Sequence, residues 1–408
     1  MRIAVVCNRF APYIGGIETQ VRLIGGDLAR RGHEVTILTR RYDRVLARRE
    51  TLDGLSVQRF GPTGRGLLAK WLLNGSTFRR LLPGTASFDC VVVTQFSATA
   101  FGPALANALG GAPLVLRTAE LGEFTGEVSE GSLSRLPGWV RGAVHTALRT
   151  SRERAYRRAG LVIALSRALA REAEAFGFPA SSIVRIPGAI DTARFAPGTP
   201  DRRRELRASL GIPLHAEVVT YVGRLVQGKG LPTLARAWAA VARERPRALL
   251  LVVGEGTGPQ SPLDAEAAFR GAIEAAGLAG RVLLTGQRED IPGCLQASDL
   301  FVFPSEREGF GNALVEAMSC GLPIVCSRID SGAVDLLVQG AQGYTFEVGD
   351  SEELSRRILD VLGDDAARAR MGAAGRALVE PLLGVDRVTD LYEAALRHAT
   401  RTANGAAS

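Results

Sequence analysis

Two carboxylates eight residues apart, Glu308 and Glu316, lie in the stretch SEREGFGNALVEAMSCGLP at 305–323. The apolar run LFVFPS before them reads as a strand, EREGFG as its exit loop, and NALVEAMSC as a helix that stops at Gly321. At the start of such a helix, free backbone N–H groups from Gly309 to Asn312 and the helix dipole favour an anion, phosphate above all. Gly309 and Gly311 let that anion approach the backbone without interference from a Cβ. Ala313, Leu314, Ala317 and Met318 form the expected core stripe, which leaves Glu316 on another face. At about 1.5 Å per residue the two carboxylates are on the order of 10 Å apart. Carboxylates flanking one glycosidic bond are usually closer, at roughly 5–9.5 Å. The spacing suits a ligand lying along the helix start with hydroxyls on both sides of a pyrophosphate, as a nucleotide-sugar has. Two ordinary acids near a helix start, where acids are favoured anyway, are the competing reading.

The elements that must hold this loop alternate along the whole chain. RIAVVCN, the turn YIGG, the helix IETQVRLIGGDLARRG with Val21, Ile24 and Leu28 on one face, and HEVTILT make one strand–loop–helix–strand unit. Strand-like runs at 88–95, 113–118 and 161–166 continue it, with helical stretches at 97–110 and from about 136 to 159. A second cycle opens near 216 with AEVVTYVG and runs through ALLLVVGEG, RVLLTG, DLFVFPS, PIVCS and GYTFE. Between the cycles the Pro-, Gly- and Arg-rich stretch 185–213 reads as a linker. A chain of 408 residues that is 46% hydrophobic can fill two cores, since single cores rarely exceed about 250–300 residues. The expected fold class is α/β, two doubly wound Rossmann-like domains facing a central cleft, with ligands at the carboxyl ends of the strands. The expected boundaries are 1–190 for an acceptor-side domain, 191–384 for a donor domain, and 385–408 for a helix packing back toward the first.

The net charge of +8 comes with a strong skew, because Lys70 and Lys229 are the only lysines among 50 basic residues. That skew fits coding bias better than a nucleic-acid surface, and no RNA- or DNA-binding signature accompanies it. The densest basic stretch, RTSRERAYRRAG at 149–160, reads as a solvated helix face, with an anionic membrane or acceptor as its alternative partner. Five scattered cysteines without C-x-x-C spacing suggest neither a disulfide frame nor a zinc site. No apolar run approaches the roughly 18–20 residues of a membrane span, and no signal sequence opens the chain. A cytoplasmic protein is expected, with peripheral contact at the inner face of the membrane as the variant of that reading.

In context, EREGFGNALVEAMSCGLPIVCS resembles the E-x7-E motif of retaining glycosyltransferases with the GT-B fold, the group often called family 4. The resemblance covers nearly the whole chain. GGIE at 15–18 is similar to that family's amino-terminal Gly-Gly loop, and YVGRLVQGKGLPTLARAW at 221–238 to its Arg/Lys phosphate segment. VVGEG at 252–256 and ASDLFVFPS at 297–305 follow in the family's order. The resemblance implies a hexosyltransferase-like enzyme that moves a sugar from a nucleoside diphosphate to an acceptor hydroxyl with retention and without a metal. It places Arg224 and Lys229 on the donor pyrophosphate, consistent with fixed cations just past a strand end. Glu316 would bind ribose hydroxyls, while Glu308 and the amides of Gly309, Phe310, Gly311 and Asn312 would hold sugar and phosphate. Gly15 and Gly16 would add amides, and Gln287, Arg288 and Glu289 fall where the family reads the base. No cofactor is implied beyond the nucleotide-sugar co-substrate; the acceptor is a saccharide, a lipid or a small metabolite.

Two departures sit on the acceptor side. Many relatives carry a histidine after the strand aligned with PLVLRT, where this chain reads RTAELGEFTGE at 117–127, and its histidines are His33, His145, His215 and His398. Glu120 or Glu123 takes that place, or the loop is plain acidic surface. At 186–191, IPGAID has Gly188 where relatives often have Asn. A nicotinamide oxidoreductase is the rival from another class, but GGIETQ lacks G-x-G-x-x-G. A nucleotide-sugar epimerase, or a binding protein that has lost turnover, is the rival within the fold.

Overall fold

Alternating apolar strands and amphipathic helices close into two parallel sheets. The computed structural model describes residues 1–13, 15–61, 63, 67–84, 87–124, 150–151, 153–258 and 260–405. Most of the helix expected from 136 to 159 lies outside the described residues. The chain forms two units, one of residues 1–189 and 385–408 and the other of residues 190–384.

The first unit runs β1 (Arg2–Cys7), α1 (Gly16–Arg30), β2 (Glu34–Arg40), β3 (Arg49–Leu52), β4 (Leu55–Phe60), α2 (Leu67–Leu81), β5 (Cys90–Thr94), α3 (Phe96–Thr99), α4 (Phe101–Ala108), β6 (Leu114–Thr118), β7 (Leu161–Ala164), α5 (Arg167–Phe176) and β8 (Ile183–Arg185). Its sheet order is β3-β4-β2-β1-β5-β6-β7-β8, parallel except for the β3–β4 hairpin. Asp53 and Gly54 turn that hairpin, both at positive φ, as a two-residue Asp-Gly turn requires. The central strands are buried on both faces and therefore almost wholly apolar. Phe96, Phe124, Tyr156, Phe176 and Phe178 gather in one aromatic cluster of the core, with Tyr156 edge to face against Phe96 and Phe124 and with Phe176 stacked on Phe178. Residues 153–160 of the basic stretch help to close this cluster. Arg157 lies over the Phe176 ring and donates to its carbonyl at 3.3 Å, while Ala155, Tyr156 and Ala159 are buried.

The second unit runs α6 (Pro200–Ser209), β9 (Glu217–Val222), α7 (Leu231–Glu244), β10 (Ala248–Val253), α8 (Glu266–Ala275), β11 (Val282–Leu284), α9 (Ile291–Gln296), β12 (Leu300–Phe303), α10 (Asn312–Ser319), β13 (Ile324–Ser327), β14 (Gly343–Phe346), α11 (Ser351–Leu362) and α12 (Asp365–Leu383). Its all-parallel sheet has the order β11-β10-β9-β12-β13-β14, packed around the fully buried Trp238. Helix α6 occupies a large part of the stretch expected to be linker. Thr199 caps it by accepting the Arg202 N–H at 3.2 Å, and Arg207 is buried, donating to the carbonyls of Ala297, Leu214 and Ala216 and pairing with Asp299. An arginine-rich segment expected to be linker is thus tied down by Asp299 and Ala297, distant in sequence, and by two nearby carbonyls.

The last helix, α13 (Val385–Gly405), belongs to the first unit. Arg31 at the end of α1 reaches Asp390 at 2.5 Å, and Arg117 Nε donates to the Tyr392 hydroxyl at 2.7 Å. His33 bonds the N-terminal ammonium and faces Glu393 at 3.4 Å. The five cysteines are free and buried.

Candidate active site

In each sheet one pair of neighbouring strands marks the point where the order of connections reverses, and ligands bind outside the carboxyl ends of such strands. In the second unit the pair is β9 and β12. The exit loops of these two strands carry Arg224, Lys229 and residues 305–311, which places these members of the expected donor set on one edge of the unit, while Gln287, Arg288 and Glu289 follow β11 and Gly15 and Gly16 belong to the first unit.

Glycine makes this edge possible. Gly254, after β10, donates to the Gly286 carbonyl at 2.9 Å, and a Cβ on Gly254 would overlap the Gly223 carbonyl oxygen. Gly230, at φ +68°, starts α7 where a Cβ would overlap the Pro304 carbonyl oxygen. The loops after β9 and β12 can touch only because residue 230 lacks a side chain. Their contact is completed by the Glu306 N–H, which donates to the Gly228 carbonyl at 2.9 Å.

Lys229 Nζ pairs with Glu308 Oε1, and the Ser305 hydroxyl donates to the same oxygen at 3.0 Å. Both side chains are partly buried, so the pair sits where water only partly screens it. The sequence reading assigned these residues to separate parts of a ligand; the structure joins them. Arg224 is exposed, and its carbonyl accepts the Tyr221 hydroxyl at 3.0 Å. Burial, with Glu308 nearby, pushes the Tyr221 phenol upward, so it remains a neutral donor.

Gly311, at φ +95°, begins α10, and the loop before it is pinned through the Phe310 carbonyl, which accepts the Ser331 hydroxyl at 2.6 Å and the Ala333 N–H at 2.9 Å. The amides of Gly309, Phe310 and Gly311 have no acceptor among the described residues. They provide three N–H donors and the positive end of a helix dipole beside Lys229 and Arg224. Helix α10 buries Leu314, Val315, Ala317, Met318 and Ser319; Ala313, expected in the core stripe, is only half-buried. Glu316 stands on the remaining face, half-buried, and its carboxyl group has no hydrogen-bond partner among the described residues. Burial pushes its carboxyl up to about 7, against the pull of Arg194. Arg194 also donates to the Glu289 carbonyl at 3.1 Å, which links Glu316 to the exposed turn Gln287–Arg288–Glu289. Sequence inspection missed Arg194, since nothing in IDTARFAPG marks it.

The corresponding pair in the first unit is β1 and β5. Gly15 and Gly16 lie after β1 at the start of α1, where a Cβ on Gly15 would collide with the Glu18 carboxylate. Gln95, directly after β5, holds left-handed backbone angles of φ 53° and ψ 44°, a conformation costing about 1–2 kcal/mol for a residue with a Cβ. From there its side chain spans the reversal point: Oε1 accepts the Asn8 N–H at 3.2 Å and Nε2 donates to Glu18 at 3.4 Å. Burial, reinforced by Glu120, pushes the buried Glu18 carboxyl upward, while its own amide, Gln95 and Arg9 pull it down. Glu18 was legible as the last residue of GGIE, but no sequence signal marks Gln95.

The two acceptor-side glutamates differ. Glu120 is exposed at the end of β6. Glu123 turns inward, accepts the N–H groups of Ala119 at 3.0 Å and Glu120 at 3.4 Å, and is pushed up to about 8 by burial. At neutral pH Glu123 is thus largely an uncharged brace for the loop. Among the described residues no group of three or more His, Cys, Asp or Glu side chains could hold a metal ion.

The family model described as glycosyl transferases group 1 matches residues 202–378, and the one described as glycosyl transferase 4-like domain matches residues 15–189. The chain is 31% identical to the 2-deoxystreptamine N-acetyl-D-glucosaminyltransferase of Streptomyces fradiae, over 97% of this chain and 92% of that one. It is 34% identical to the GDP-mannose-dependent monoacylated alpha-(1-6)-phosphatidylinositol monomannoside mannosyltransferase of Corynebacterium glutamicum, an alignment spanning about half of each, 48% and 51%. Among solved structures, Anabaena HepE in complex with UDP superposes with a TM-score of 0.75 at 25% identity, covering 98% of this chain and 100% of that one. The matches divide at the boundary between the two sheets, and together they show that this chain belongs to the group 1 glycosyl transferases, transferases of the GT-B fold.

Proposed function

We propose that the chain transfers a sugar from a nucleoside diphosphate to an acceptor hydroxyl with retained anomeric configuration and without a metal, as a family 4 enzyme of the E-x7-E type. The observation that carries this reading is the convergence of Arg224, the Lys229–Glu308 pair and the Gly309–Gly311 amides on one edge, with Glu316 further along α10. Fixed donors of this kind stabilise the charge that develops on a departing diphosphate. The sugar C1–O bond to phosphate breaks and the acceptor oxygen bonds C1 on the same face. The acceptor proton passes to the departing phosphate oxygen. Glu316 holds ribose hydroxyls and Glu308 the sugar, while Gln287 to Glu289 lie where the base is read. Glu18, in the first turn of α1, and Glu120, after β6, are the acceptor-side groups, with Glu123 supporting the loop of Glu120. That the Corynebacterium relative is named for GDP-mannose and HepE was solved with UDP supports a nucleotide-sugar donor. An epimerase or a silent binding protein finds no support among these relatives.

The experiment is a melting-temperature shift of the full chain against UDP-, GDP-, ADP- and TDP-sugars, because a ligand that binds only the folded state raises the midpoint. A shift with one nucleotide, lost in Glu316→Ala, identifies the donor. No shift with any of them overturns the reading.

A further inference from the structure

We propose that the first unit binds a halide ion in a closed nest of hydrogen-bond donors beneath its last helix, α13. Strand register begins the nest. Thr94 of β5 and Arg117 of β6 are partners in adjacent parallel strands, so their side chains leave the same face of the sheet. Val91, Val93, Leu114 and Leu116 take the opposite face and fill the core there. Helix α13 packs on β5 and β6, and its Val388, Thr389, Tyr392 and Leu396 are buried at the three- and four-residue spacing of one helix side. Arg117 Nε donates to the Tyr392 hydroxyl at 2.7 Å. Thr389, one turn before Tyr392, therefore lies on the side of the helix that Arg117 meets. Thr94 and Thr389 are 0% exposed, Arg117 is 2% and Tyr392 3%.

What these groups lack is an acceptor. Both terminal nitrogens of Arg117 and the hydroxyls of Thr94 and Thr389 have no hydrogen-bond partner among the described residues. The Tyr392 hydroxyl accepts from Arg117 and its own proton is left without an acceptor among them. A guanidinium is charged at every pH a protein tolerates, yet Arg117 makes no ion pair among the described residues. Two other buried arginines show the usual solution, Arg59 beside Glu50 and Arg207 beside Asp299. Buried charges are paired because an uncompensated one is costly. A water molecule would leave the charge of Arg117 standing and would bring two more protons among groups that already donate. An anion accepts from all of them and neutralises the charge. Because no member of the nest is more than 3% exposed, the occupant is compact, a monatomic halide such as chloride rather than a phosphate or a carboxylate ligand. Its site lies wholly within the first unit, on groups that the proposed transfer does not use, and it ties β5, β6 and α13 together.

The test is the melting temperature of the full chain titrated with sodium chloride, sodium bromide, sodium gluconate and sodium sulfate, the ionic strength held constant. Chloride and bromide should raise it in a saturable way, as a ligand bound only by the folded state does, and gluconate and sulfate should not. Thr389→Val keeps the volume and removes one donor, so the halide concentration at half-saturation should rise about tenfold or more. Independently of any variant, crystals of the wild-type chain grown in bromide should show an anomalous peak within hydrogen-bonding reach of the Arg117 terminal nitrogens. A melting temperature that responds to all four salts alike, or to none, overturns the proposal. So does a Thr389→Val chain with unchanged half-saturation, or bromide found only at the molecular surface, either of which would leave Arg117 to water.

Discussion

Replacing Glu316 by glutamine isolates the cost of keeping a carboxylate on α10 without a partner. Burial moves this carboxyl from an ordinary 4.5 to about 7, with Arg194 opposing the shift. An acid whose folded pKa lies above its unfolded value binds its proton more tightly when folded. Its contribution is therefore neutral in acid, and stability is lost as pH rises from 4.5 through 7. At about 1.4 kcal/mol per pH unit the full shift corresponds to roughly 3 kcal/mol above pH 8. The side chain is half-buried, so solvent screening reduces the expectation to about 2 kcal/mol. Glutamine keeps the shape and removes the charge. Urea unfolding of wild type and Glu316→Gln at pH 5 and pH 8 should show the variant gaining about 2 kcal/mol relative to wild type at the higher pH. Donor affinity should move oppositely, because the ionised carboxylate is the better acceptor for ribose hydroxyls. Wild-type affinity should weaken below pH 7, and that of the variant should be lower and flatter across the range. A stability difference between the two proteins that is the same at both pH values would refute the reasoning, whatever the activity of the variant.

Lys229→Ala strips Glu308 of its partner and the diphosphate of a fixed cation, so turnover should fall by about 10²-fold or more, measured as release of free nucleoside diphosphate; undiminished turnover would remove Lys229 from the site. If arginine, lysine and helix amides supply all the charge stabilisation, EDTA should leave the initial rate unchanged, and strict restoration by a divalent cation would contradict the proposed electrostatics.

The two parallel halves are legible in the sequence because a strand buried on both faces must be continuously apolar and a surface helix must be striped; both patterns are local and survive inspection of one residue after another. The β3–β4 hairpin carries a local turn signal in Asp53–Gly54, but its half-exposed strands lack the unbroken apolar run that marks the others. Residues 308–316 of the candidate site were legible in part for the same local reason, since a glycine loop between strand and helix can take a phosphate, and the role of each was implied by the family resemblance. What each of those side chains meets depends on residues distant in the sequence. That Lys229 holds Glu308, 79 positions away, follows from the adjacency of β9 and β12 and from the missing Cβ at Gly230. Helix α6 has the composition of a linker, and it is Asp299 and three carbonyls around Arg207 that hold it in place. The raised pKa of Glu316, the inward turn of Glu123 and the left-handed backbone of Gln95 have no signature in residue order, because desolvation and strain are set by what packs alongside. Chain periodicity decides which segments become strands and helices; folding alone decides which charges are paired, which are buried and which are left for a ligand.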